Sequence, residues 1–95
     1  MARYFAAIEA PGLTEETFRE ALGTMRKWRF DKRGWVIKAF CNRAAGKVYV
    51  DCEAPDRARV EQWLRDTGWS DFQIEDVDLV FEEGAIWPMR THALA

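Results

Sequence analysis

Hydrophobic and polar positions alternate twice in the middle of the chain, and the two alternations agree. After Gly34, the side chains of Trp35, Ile37, Ala39 and Cys41 point one way and those of Val36, Lys38, Phe40 and Asn42 the other. Beyond the connection Arg43-Ala44-Ala45-Gly46-Lys47, Val48, Val50 and Cys52 share one side, with Tyr49, Asp51 and Glu53 opposite. A strand with one dry face carries this period-2 pattern, and Gly46 supplies the positive φ that a tight turn needs. The pattern predicts a hairpin with coincident dry faces, because a one-residue slip would turn every apolar side chain toward water.

Similar logic covers the flanks. Residues 3–9 are apolar and β-prone, so they predict a first strand, broken by Pro11-Gly12. Thr14 is an N-cap candidate, and Glu15 and Glu16 complement the helix dipole. Phe18, Leu22 and Met25, flanked by Ala21 and Trp28, recur at helical spacing and predict a helix over 14–29 that ends in Arg26, Lys27 and Arg29. A second helix starts at Ala54-Pro55-Asp56, buries Val60, Trp63, Leu64 and Thr67, and stops at Gly68. Residues 73–81 set Val77, Leu79 and Phe81 against Asp76, Asp78 and Val80, which predicts a fourth strand. Glu82 to Ala95 shows no clear period. The division expected is a domain over 1–81 and a C-terminal tail over 82–95.

This order predicts an α+β fold of the ferredoxin-like β-α-β-β-α-β kind, a four-stranded antiparallel sheet with two helices on one face. Ninety-five residues, 48% hydrophobic and 32% charged, suit one globular domain. No apolar run approaches the ~18–20 residues that cross a bilayer. The first residues meet an acid at Glu9 and lack a signal-peptide pattern, so a cytoplasmic location and no membrane partner are expected. Cys41 and Cys52 are too few for a disulfide framework, and reduced thiols are expected.

The sheet face away from the helices carries Lys38, Phe40, Tyr49, Asp51, Glu53 and Asp78 in this reading. Its aromatics call for cover, by a second copy of the chain or by a partner protein. Lys38, Phe40, Tyr49, Asp51 and Glu53 are the candidate residues of a ligand pocket. Lys38 falls opposite Asp51, either as an acid and a base lining a cavity or as an ordinary cross-strand ion pair worth ~0.2–1 kcal/mol. Cys41 falls opposite Val48, which keeps it from Cys52.

Charge is segregated. Eight Lys or Arg and one acid, Asp31, lie between Arg26 and Lys47, whereas eleven acids and three Arg lie between Val48 and Glu83. Trp28, Phe30, Trp35 and Phe40 interleave with the basic run, yet no ribonucleoprotein signature is present. Asp51 and Glu53 also stand where a phosphate would pass, so nucleic acid is not the expected partner. No dinucleotide, phosphate-loop, serine-hydrolase or zinc-protease motif occurs, and no catalytic residue can be assigned. His92, the sole histidine, could join Cys52 and Glu53 around a transition metal if the tail folds back.

Three strings carry a resemblance: Glu9-Ala-Pro-Gly-Leu-Thr-Glu-Glu16, Gly34-Trp35-Val36, and Lys47-Val-Tyr-Val-Asp-Cys-Glu-Ala-Pro-Asp56. With Thr67-Gly68, Ile74 and Val77 they make residues 3–80 resemble a family of small bacterial ferredoxin-like proteins that includes nickel-binding members. The resemblance implies the ferredoxin-like fold, dimerisation and, as cofactor, nickel. The body of this chain lacks the histidines such a site would use. The reading that follows is a small non-enzymatic binding or accessory protein, dimeric through its open sheet face. The alternatives are a dimeric α+β barrel enzyme acting on a small apolar substrate and a nickel-binding protein.

Overall fold

A computed structural model describes residues 1–23 and 34–89. Its elements run β1 (Ala2–Glu9), α1 (Glu15–Gly23), β2 (Trp35–Asn42), β3 (Lys47–Ala54), α2 (Arg57–Asp66), β4 (Phe72–Val77), β5 (Leu79–Glu82) and β6 (Ala85–Pro88). The first four strands form one antiparallel sheet in the order β2-β3-β1-β4, and β5 and β6 form a separate antiparallel pair. The fold is α+β, with a four-stranded antiparallel sheet and two helices. The part of the expected first helix beyond residue 23, with Met25 and Trp28, lies outside the described residues.

The core lies on one side of the large sheet. Tyr4, Ala6 and Ile8 of β1 alternate inward beside Val48, Val50 and Cys52 of β3 and Ile74 of β4. Val60, Trp63 and Leu64 of α2 bury against them, and Phe18 and Leu22 of α1 pack on the same cluster. Removing several large side chains from water at ~1.5–3 kcal/mol each is what holds so small a sheet. Asp56 caps α2 by accepting from the Arg59 N–H at 2.9 Å, and Gly68 ends that helical segment at φ +102.

The hairpin register is the one the alternation predicts, with Phe40 opposite Tyr49, Lys38 opposite Asp51 and Cys41 opposite Val48. Its turn closes when Gly46 N–H donates to the Arg43 carbonyl at 3.2 Å. One expectation fails at the start of β2. The register shifts between Val36 and Lys38, so Ile37 is an extra residue, and Val36 meets Cys52 while Trp35 meets Glu53. Val36 therefore joins the core and Trp35 turns to the open face, the reverse of the simple alternation.

The fourth strand is also shorter than expected. It ends at Val77, and Leu79–Glu82 leaves the sheet to pair with Ala85–Pro88 in a hairpin that runs across residues 81 and 82. Within β4, Ile74 and Asp76 share the register of Ala6 and Tyr4 on the helix side, and Val77 pairs with Arg3 on the open side. Asp76 is stabilised there by Arg57 of α2, whose Nη2 lies 3.0 Å from its Oδ1, while Arg57 Nη1 donates to the Ile74 carbonyl at 2.7 Å.

Candidate functional site: the open sheet face

Alternation sends every second side chain of the four strands away from the helices. The face so made carries Arg3, Phe5 and Ala7 from β1, and Trp35, Lys38 and Phe40 from β2. Tyr49, Asp51 and Glu53 come from β3, and Gln73, Glu75 and Val77 from β4. All five pocket candidates from the sequence, Lys38, Phe40, Tyr49, Asp51 and Glu53, share this surface. Asp78 does not; it sits in the break between β4 and β5, where its carbonyl accepts the Met89 N–H at 2.8 Å.

Asp51 is engaged by a residue the sequence did not single out. Arg3 Nε donates to Asp51 Oδ1 at 2.6 Å and Arg3 Nη2 to Oδ2 at 2.7 Å, with 12% and 25% of the two side chains exposed. The fork raises the Arg3 pKa, chiefly through the Asp51 hydrogen bonds and against the opposing cost of burial. Lys38 lies opposite Asp51 in register, but its ammonium sits 5.8 Å from the centre of the Phe40 ring. Phe5 and Tyr49 stack beside this pair with centroids 6.1 Å apart and planes 22° from parallel. The tail reaches the face at one point, where Arg3 Nη1 lies 3.6 Å from Met89 Sδ.

Both Asp51 oxygens already accept from Arg3, so the carboxylate is engaged within the face. What the face leaves available is an aromatic edge, with Phe40 half exposed, and the cation of Lys38.

The proposed metal ligands do not converge. Cys52 is fully buried on the core side, where burial pushes its thiol up to about 12. Glu53, the next residue, faces the opposite side of the sheet opposite Arg3. One ion cannot take both, because adjacent strand residues point apart. His92 lies outside the described residues, and no group of three or more His, Cys, Asp or Glu placed to hold a metal occurs among the described residues. Nickel therefore has no fitting donor set in the described residues.

Two features escaped sequence reasoning. The Tyr4 hydroxyl is buried in the core with no hydrogen-bond partner among the described residues, and its pKa is raised mainly by that burial. A concavity of about 620 Å³ lies at the far end of the sheet, lined by Glu9, Pro11, Ala45, Gly46, Ser70 and Asp71. Glu9 is occupied there by Lys47, whose Nζ is 2.9 Å from its Oε1.

No helix among the described residues is long and apolar enough to cross a membrane. No family model, no curated protein and no solved structure matches this chain. The class defined by the geometry is a small α+β domain with one helix-covered and one open, aromatic sheet face.

Proposed function

We propose that this chain is a small ferredoxin-like binding or accessory protein that works as a homodimer through its open sheet face. The element order up to β4 and the strand order β2-β3-β1-β4, antiparallel throughout, support the ferredoxin-like assignment. The observation that carries the functional reading is the composition of the open face. Phe40 is 50% exposed beside the stacked Phe5 and Tyr49, while the central acid is already held by Arg3. A face with aromatics available and its inner charges mutually satisfied gains from being covered and offers little to a reacting substrate.

The test is the mass in solution. Size-exclusion chromatography with light scattering should return twice the chain mass of 11.1 kDa. Phe40→Glu should shift the equilibrium toward the single chain, because it would bury a charge without a partner. A wild-type protein that stays at 11.1 kDa across the micromolar range would overturn the reading.

A further inference from the structure

The large sheet ends in β2 on one side and β4 on the other, and a bare edge offers unpaired N–H and C=O groups to any arriving strand. The bulge at Ile37 interrupts the regular row of such groups along β2. β4 has no bulge, and among the described strands it pairs with β1 alone. The Glu9 N–H donates to the Asp71 carbonyl at 2.8 Å, which sets the parity of that ladder. Gln73, Glu75 and Val77 therefore bond to β1, and the N–H and C=O groups of Phe72, Ile74 and Asp76 point outward.

Helix α2 lays a charged stripe along this edge. Arg57, Glu61 and Arg65 stand on successive turns of one helix face. Arg57 Nη1 donates to the outward Ile74 carbonyl at 2.7 Å, and Nη2 donates to Asp76 Oδ1 at 3.0 Å. The Arg65 guanidinium lies 5.6 Å from the centre of the Phe72 ring, with Nη1 3.6 Å from Glu61 Oε2. Arg57, Glu61 and residues 72–75 line a groove of about 380 Å³ between the stripe and the strand.

We infer that Arg57 is a latch that holds the β4 edge shut, and that the strand it excludes is β4 of a second copy of this chain. A guanidinium donates and cannot accept, so an N–H of the arriving strand finds the Ile74 carbonyl taken and a cation in its path. Register and charge both fit that occupant. Antiparallel self-pairing centred on Ile74 aligns all three outward residues as bonded pairs, with Phe72 opposite Asp76 of the second copy. It also sets Gln73 opposite Glu75 of the second copy, so no like charges meet directly, as they would with the centre at Glu75. The two-fold axis is then perpendicular to the sheet, which keeps both helix layers on one side and brings both latches to the same seam.

The latch is independent of the pairing proposed above, because the β4 edge and the open face are different surfaces. Sedimentation equilibrium on the full chain compares the wild type with Arg57→Ala, a change outside the core. The variant should associate about 10-fold or more tightly through its edge, since a two-fold pair regains both Ile74 carbonyls. It gives pairs if the wild type is a single chain, and chains of dimers if the wild type is a dimer. Amide hydrogen exchange locates the contact. In Arg57→Ala the amides of Phe72, Ile74 and Asp76 should gain protection as concentration rises, while those of Gln73 and Glu75, already bonded to β1, should not change. A variant that keeps the wild-type mass would overturn the latch. So would larger species in which the three outward amides stay unprotected, or a wild type whose outward amides already gain protection with concentration.

Discussion

Arg3 and Asp51, 48 residues apart in the chain, are joined by two hydrogen bonds of 2.6 and 2.7 Å across the middle of the open sheet face. Their strands are neighbours, and the contact is diagonal, since Arg3 directly faces Glu53 and Phe5 directly faces Asp51. A guanidinium presents two parallel N–H groups in the geometry a carboxylate accepts, which an ammonium cannot do. Arg3 therefore secures Asp51, although Lys38 is opposite it.

Asp51→Ala should cost about 1–3 kcal/mol, because it leaves a largely covered guanidinium without its acceptor. Lys38→Ala should change stability by less than about 0.5 kcal/mol, as its ammonium is exposed and bonded to no carboxylate among the described residues. Urea unfolding of the two variants, at unchanged denaturant slope, measures the contrast. Equal losses would mean that Asp51 is held by Lys38 in solution.

The buried thiol of Cys52 predicts a loss of stability in alkali. Its folded pKa is raised from 9.0 to about 12, so the folded state binds the proton more tightly than the unfolded chain. Its contribution is complete below pH 9 and declines as pH rises toward 12, by up to ~1.4 kcal/mol per pH unit. Cys52→Val should flatten the unfolding free energy over that window. Near neutral pH, a thiol reagent should label Cys52 only on unfolding, and half-buried Cys41 first.

Gly46 combines two constraints. Its φ is +66, and a Cβ built there would lie 3.0 Å from the Pro11 Cα. Gly46→Ala should cost at least about 1–2 kcal/mol from the backbone conformation alone, with the close approach adding to it. Gly84→Ala, at φ +78 with open space around it, isolates the conformational part. Thermal unfolding should rank Gly46→Ala as the more damaging of the two.

Tyr4 makes the opposite prediction. Its hydroxyl is buried without a partner among the described residues, so Tyr4→Phe removes a desolvation cost and keeps the ring in the core. The variant should be as stable as the wild type or more stable by up to about 1–3 kcal/mol. A clear loss in melting temperature would reveal a hydrogen bond to that hydroxyl in solution.

The central hairpin was legible because its information is local. Val48, Val50 and Cys52 alternate with Tyr49, Asp51 and Glu53, Gly46 marks the turn, and those signals set register before any distant contact forms. The second helix was legible for the same reason, from its Asp56 cap to Gly68. The bulge at Ile37 was not, since an extra residue leaves no mark in the alternation it interrupts. The break at Asp78 was hidden similarly: Leu79 and Phe81 continue the period of β4 while leaving its sheet.

By itself the sequence determined the order of elements to Val77, the dry face of the hairpin beyond its bulge and the shared open face of Lys38, Phe40, Tyr49, Asp51 and Glu53. Those follow from periodicity, caps and turn residues, which act over a few neighbours. Only the tertiary structure decided that Arg3 and not Lys38 holds Asp51, that Trp35 and Val36 exchange faces at the bulge, and that the chain beyond β4 forms an exposed apolar hairpin. These depend on which strands become neighbours. Partners dozens of residues apart are selected by burial and bond geometry in the assembled sheet, and a local pattern holds no record of that choice.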